Sequence, residues 1–218
     1  MADVLMYASF FHQITGDDER ATTLMIMLSK LFYDKTSNGC VYFMIGPQET
    51  CDVLENIIFN VLKTTGTPIC GKLPLQKIRN TTALTRKDMS MQNEVYRHVN
   101  IVSNYDPTIK INDYPLRYLS EGMEKIFGLR TMESKTIFLG PQPPNIKFET
   151  TYIRDRTIYI ELKPHGLTDE GKKLLYEKTP VLFNLLIDII PLSSKIEDKQ
   201  LISDVVKQQT QKFILERS

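Results

Sequence analysis

The sequence predicts a helix-rich α/β chain with a three-layer core and added helices at both ends. Three observations carry this. An apolar run, Val41 to Ile45, ends in Gly46-Pro47 and leads to an amphipathic run from Val53 to Lys63, the order of a strand feeding a crossover helix. Short apolar runs bounded by turn residues recur at Val99–Val102, Thr136–Leu139 and Arg156–Leu162. Apolar residues at helical spacing flank this set on both sides. The chain therefore divides into a helical lead-in (1–40), an α/β core (41–163) and a C-terminal helical segment (164–218).

Each element has a local cause. Ala2 to Gln13 is apolar at most positions and reads as a helix. Thr15-Gly16-Asp17-Asp18 breaks it, and either aspartate can accept from the free amides of the next helix. From Glu19 to Tyr33, Leu24, Met27, Leu28, Leu31 and Phe32 form the stripe of a core-facing helix, and Asp34 to Gly39 is a turn. Gly66 to Pro74 is a loop carrying Cys70. Residues 75–97 are polar and moderately basic (Lys77, Arg79, Arg86, Lys87, Arg97), a solvated surface by their scatter. Tyr114 to Phe127 reads as a helix, and Gly140-Pro141-Gln142-Pro143-Pro144 as a stiff extended loop. Thr168-Asp169 caps a helix that stops before Pro180, and Pro180 opens a helix that Pro191 ends. Ser194 to Glu197 is a capping box for the last helix, which carries Val205, Val206, Phe213 and Ile214.

Composition narrows the function. Hydrophobic residues make up 42% and charged residues 24%, enough for a real core. Lys and Arg number 27 against 26 Asp and Glu, so bulk charge attracts neither nucleic acid nor an anionic membrane. Near-neutrality favours self-association instead. No apolar run approaches the ~20 residues that span a bilayer. The start lacks a basic segment and carries Asp3, so synthesis in the cytosol or nucleus is expected. Three cysteines, Cys40, Cys51 and Cys70, are too few for a disulfide framework. They read either as thiols or as candidates for intermolecular disulfides.

Residues 41–64 have the layout of a phosphate-binding loop with its chemistry removed. The pattern G-x-x-x-x-G-K-S/T would begin at Gly46 and require Gly at 51, Lys at 52 and a hydroxyl at 53. This chain has Cys51, Asp52 and Val53. The second glycine lets amides close around phosphate, the lysine reaches the β/γ-phosphates, and the hydroxyl binds Mg²⁺. Asp52 places a negative charge where a polyphosphate needs a positive one. No other motif carries chemistry: His12, His98 and His165 are far apart and form no metal spacing.

From residue 10 to 190 the order of elements resembles the ATPase domain of viral superfamily 3 helicases, especially the poxvirus-type primase-helicases. The resemblance rests on three blocks in order: FFHQITGDDERATTLMIMLSKLF with VYFMIGPQETCDV, then RHVNIVSNYDPTIKINDYPLRYLSEG, then KTIFLGPQPPNIKFETTYIRDRTIYIEL. It implies a degenerate P-loop ATPase-like core. It also implies which residues stand at the active positions. The lysine position is Asp52 and the hydroxyl position Val53. The metal-binding acid falls at Asn104, and the sensor asparagine at Pro141. The interface arginine matches Arg156 or Arg154, and either could equally be an ordinary ion pair. An arginine finger without lysine, metal or sensor has nothing to stabilise.

The expectation is therefore a non-enzymatic protein without cofactor or metal. It is a viral structural protein that self-assembles, similar in size and character to nudivirus occlusion-body proteins (polyhedrins), which form a matrix around virions. Its partners would be further copies of itself and virions, not membrane or nucleic acid, and the assembled bodies would be extracellular. The alternative is an inactive helicase-like accessory subunit of viral DNA replication, with the basic stretch 72–97 as its binding surface.

Overall fold

The computed structural model describes residues 2–32, 40–63, 70–73, 75, 99–112, 116, 135–193 and 202–218. Helices α1 (Ala2–Thr15) and α2 (Asp18–Lys30) precede β1 (Val41–Ile45) and α3 (Gln48–Lys63). Then come β2 (Cys70–Lys72), β3 (Val99–Ser103), β4 (Lys110–Asn112), β5 (Lys135–Gly140) and β6 (Asn145–Lys147). A short α4 (Thr151–Arg154), β7 (Thr157–Glu161), α5 (Asp169–Glu177), α6 (Thr179–Ser193) and α7 (Asp204–Leu215) complete the order.

Five strands form one parallel sheet in the order β2-β3-β5-β1-β7, with β1 between β5 and β7. A sheet covered on both faces needs apolar side chains at every position rather than at alternate ones. That explains VYFMI, in which all five residues are buried. Tyr42, Met44, Ile137, Leu139 and Ile160 face a helical layer drawn from α1, α2, α3, α5 and α6. Val41, Phe43, Val102 and Phe138 face a thinner layer closed by Ile111, Ile146, Phe148, Ile153 and Phe213. The result is the three-layer α/β core that the sequence implies. The small parallel pair β4–β6 belongs to the thinner layer.

The terminal helix docks on its own domain. Phe213 stacks on Tyr159 of the outer strand β7, with ring centroids 4.5 Å apart, and Thr210 Oγ1 accepts the Tyr159 amide at 3.0 Å. Edge strands left open invite pairing with other chains, and α7 covers this one.

Several sequence-based boundaries move. The crossover helix starts at Gln48, not Val53, because Pro47 supplies its first carbonyl acceptor. Cys70 lies on β2, hydrogen-bonded beside Val99, rather than on a loop. Pro191 sits inside the last turn of α6 instead of ending it. The last helix opens at the N-cap Ser203, whose hydroxyl accepts from the Val206 amide. The short α4, β4 and β6 have no strong periodicity and escape notice in the sequence. The turn 34–39, the capping box 194–197, His98 and all but Leu116 of the helix expected at 114–127 lie outside the described residues. So does nearly all of the basic stretch 75–97, Leu75 excepted.

Candidate functional site

The carboxyl ends of β1, β3, β5 and β7 meet where a doubly covered parallel sheet places its ligand crevice. Gly46 leaves β1 there. The amides of Thr50 and Cys51 both donate to the Pro47 carbonyl, at 2.9 and 3.1 Å. A phosphate cradle needs a run of amides turned inward, and these two are bonded within the first turn of α3 instead. The Cys51 thiol donates back to the Gly46 carbonyl at 3.4 Å and occupies the loop interior. Burial pushes this thiol up to about 11, so it stays protonated at neutral pH.

Gly46 is needed for packing. A Cβ at this position would lie 2.3 Å from the Leu162 carbonyl oxygen. The segment after β7 runs over the loop: the Lys163 amide donates to Ile14 O at 2.7 Å, and Thr50 Oγ1 donates to Lys163 O at 3.0 Å. His165, 4% exposed, accepts the Leu167 amide at Nδ1, which leaves its ring proton on Nε2, 3.9 Å from Glu49 Oε2. The loop is thus covered by its own chain and tied to the α1–α2 turn.

The two positions most needed for Mg-nucleotide are joined to each other. Gln48 Nε2 donates to Asp52 Oδ1 at 2.7 Å and to Asn104 Oδ1 at 3.2 Å. Asn104 follows β3 with φ of +52°, a left-handed conformation that asparagine tolerates better than most residues. A hydrogen-bonded bridge of one carboxylate and two amides joins the residues that the resemblance sets at the lysine and metal positions. These residues do not fit a Mg-nucleotide. Val53 is buried in the helical layer and offers no hydroxyl. Pro141 follows Gly140, and the chain beyond it is held by Tyr105, whose hydroxyl donates to Gln142 O at 2.6 Å.

The two candidate arginines lie at the opposite end of the sheet, just before β7 begins. Arg154 Nη2 donates to Phe148 O at 2.6 Å. The Arg156 guanidinium lies over the Tyr152 ring at 3.6 Å and donates to Tyr152 O. Both are held by local contacts. The fold therefore brings Gly46, Cys51, Asp52, Val53 and Asn104 together and leaves Arg154 and Arg156 apart.

The cysteines are thiols with no disulfide between them; Cys40 and Cys51 are buried and Cys70 is half-buried. Cys51 sits on a helix rather than on a loop, because α3 starts early. Sequence reasoning missed Gln48, Glu55, Lys72 and Ser103. Glu55 Oε1 lies 2.7 Å from Lys72 Nζ and accepts from Ser103 Oγ at 3.0 Å, a pairing across three elements that no motif announces. His12 is an exposed partner of Asp18 at 2.7 Å. Among the described residues, no cluster of His, Cys, Asp or Glu could hold a metal ion, and no helix is long and apolar enough to cross a membrane.

Sheet order and the strand–loop–helix at Gly46 together define a helicase-like three-layer α/β fold. Solved structures share this fold. The apo structure of the NrS-1 C-terminal region matches with a TM-score of 0.65 at 10% identity, covering 98% of this chain and 51% of that one. An A-form apo structure of the same region gives 0.63 at 12% identity, covering 97% and 50%. Another A-form structure gives 0.62 at 10% identity, covering 98% and 51%. The chain thus spans about half the length of the structures it matches. At such identities the likeness is one of fold. No protein-family model matches the sequence, and no curated protein matches it.

Proposed function

We propose that this chain is a non-enzymatic viral protein that works by association, an ATPase-type fold used as an assembly unit. The observation that carries the reading is the Gln48 bridge between Asp52 and Asn104, which ties together the residues at the lysine and metal positions. The finer form of the proposal is a self-assembling matrix of the occlusion-body (polyhedrin-like) kind, made in the host nucleus or cytoplasm and laid down around virions. A charge balance of 27 against 26 supports it, because little repulsion opposes close packing of copies. Leu5 and Leu215, 63% and 76% exposed on the two terminal helices, supply apolar contacts at the ends of the fold. Cysteine cross-links play a small part in this form: Cys40 and Cys51 are buried, and only Cys70 has appreciable surface.

Calorimetry with Mg-ATP is the first test, with no heat expected. Sedimentation of the purified chain across pH and salt is the second, with large species expected near neutrality. Measurable Mg-ATP binding, or a monomer under every condition, would sink the proposal.

A second reading is an inactive accessory subunit of viral replication machinery. The fold likeness to about half of the NrS-1 C-terminal region favours it. It requires a monomer that joins a second, active protein. If it also bound single-stranded DNA, that binding would weaken steeply with salt.

A further inference from the structure

Helix α6 has the composition of a buried helix and a place on the surface. Of its fifteen residues, TPVLFNLLIDIIPLS, only Asp188 is charged. A helix that is apolar nearly all round belongs where both of its sides are covered. The burial of α6 is one-sided. Leu182 and Leu186 sink into the helical layer, and Phe183 packs edge-on to Phe32, just past α2, with ring centroids 5.4 Å apart. The opposite side carries Pro180, Asn184, Ile187, Asp188 and Pro191, all exposed. At helical spacing these five fall within about 60° of Asn184, so they form one stripe. Leu5, two residues from Asp3, and Leu174, four before Lys178, add exposed apolar surface near its start, where Asp3 and Lys178 pair at 3.3 Å.

The stripe is complementary to itself. Its acid, Asp188, stands toward one end. The other end is the helix N-terminus, which carries partial positive charge and has no acid in its first turn. Two copies of α6 laid antiparallel about a two-fold axis at Asn184 set residue 184+n of one against residue 184−n of the other. Asp188 then meets the first turn of the second copy at Pro180. Ile187 meets Val181, which is half-buried beside the stripe. The two Asn184 amides meet at the axis, each with a donor and an acceptor for the other. A parallel arrangement would set Asp188 against Asp188, and a nucleic acid would set phosphate against it.

We infer that α6 is the seam of a two-fold dimer of this chain, with Asn184 on the axis. The inference rests on the reading that the protein works by association, and it names the surface that pairs two copies. Growth beyond pairs then uses a different surface.

The test uses the full chain in a Cys70→Ser background, which removes the half-buried thiol. Asn184→Cys should form a disulfide-linked dimer about tenfold faster than Gln208→Cys, an exposed position on α7, because the seam holds residue 184 against its own copy. In sedimentation velocity, Ile187→Glu should weaken pairing about tenfold. Asp188→Lys should weaken it about fivefold, since its contact with the helix N-terminus occurs twice. Leu215→Glu should leave the pair intact. Urea midpoints establish that each variant is folded; should Ile187→Glu lower its own, the cross-linking comparison decides alone. Equal cross-linking at the two positions, or pairing unchanged in a folded Ile187→Glu variant, overturns the seam. If the parent chain still forms large species in that case, the association reading stands without it. A parent chain that is monomeric under every condition removes both.

Discussion

Gly46-Pro47-Gln48 and Gly140-Pro141-Gln142 close two neighbouring parallel strands, with Ile45 and Gly140 paired in register. The first tripeptide enters α3 at once; the second bends at Pro141 and Gln142 and leads without a helix to β6. The next few residues decide the outcome. After Gln48 come Glu49, Thr50 and Cys51, and the amides of Thr50 and Cys51 close the first helical turn on Pro47 O. After Gln142 come Pro143 and Pro144, which lack amide protons and push their predecessors out of helical geometry. The glycines differ as well. Gly46 faces the backbone of Leu162, while Gly140 faces the edge of the Tyr105 ring, 3.0 Å from where a Cβ would lie. One loop has been sealed by main chain and the other by a side chain.

The largest effect should come from Gly46→Ala. The new Cβ would lie 2.3 Å from a carbonyl oxygen whose residue is held by its own bond, Leu162 N to Ile45 O at 2.7 Å. Overpacking against fixed atoms costs ~1–3 kcal/mol, and this contact belongs at the top of that range. Urea unfolding should show a loss of about 3 kcal/mol. A loss no larger than that of Gly140→Ala would mean that the end of β7 can move aside and that the loop is not sealed by main chain.

Tyr105 gives the second comparison a pH dependence. Burial pushes its hydroxyl well above the ordinary tyrosine value, and burial followed by Asp3 does the same to Tyr7. Both hydroxyls donate to backbone carbonyls, Gln142 O and Leu175 O. The folded state therefore holds these protons more tightly than the unfolded chain does. Their contribution is complete below the unfolded value near ~10 and is lost as pH rises above it. Tyr105→Phe should lower stability by about 1 kcal/mol at pH 8 and flatten the decline between pH ~10 and ~11.5, read by urea unfolding. An unchanged alkaline slope would show that Tyr105 ionises freely while folded.

The core is legible in the sequence where burial is two-sided. VYFMI, VNIVS, KTIFLG and TIYIE are near-continuous apolar runs, and each is a strand. Asp17 capping α2 and Thr168 capping α5 are readable because the acceptor precedes an apolar stripe. The site is legible only as departures from the phosphate-loop pattern at Cys51, Asp52 and Val53, and as the positions the resemblance gives to Asn104 and Pro141. The bridge between Asp52 and Asn104 depends on Gln48, whose role exists only because α3 starts early and β3 ends beside it. The Glu55–Lys72–Ser103 pairing is hidden for the same reason, since its members are 17 to 48 residues apart. The helix start is obscured because the phosphate-loop pattern itself suggests a long loop after Gly46.

Gly140→Ala is the smallest expected effect and the one that tests the distinction most finely. Its Cβ would meet Tyr105 ring atoms at 3.0 to 3.2 Å, a contact relieved by a few tenths of an ångström of ring movement. The ring packs edge-on to Phe138, with centroids 6.0 Å apart, and is tethered through its hydroxyl to Gln142. A ring pinned at one atom can tilt, whereas the backbone of Leu162 cannot. The cost should be about 1 kcal/mol, at the low end of the overpacking range. In a Tyr105→Phe background the tether is gone and the same substitution should cost still less, so the two changes should be less than additive. Full additivity in that double variant would mean that the Gly140 contact is set by the strand and not by the ring.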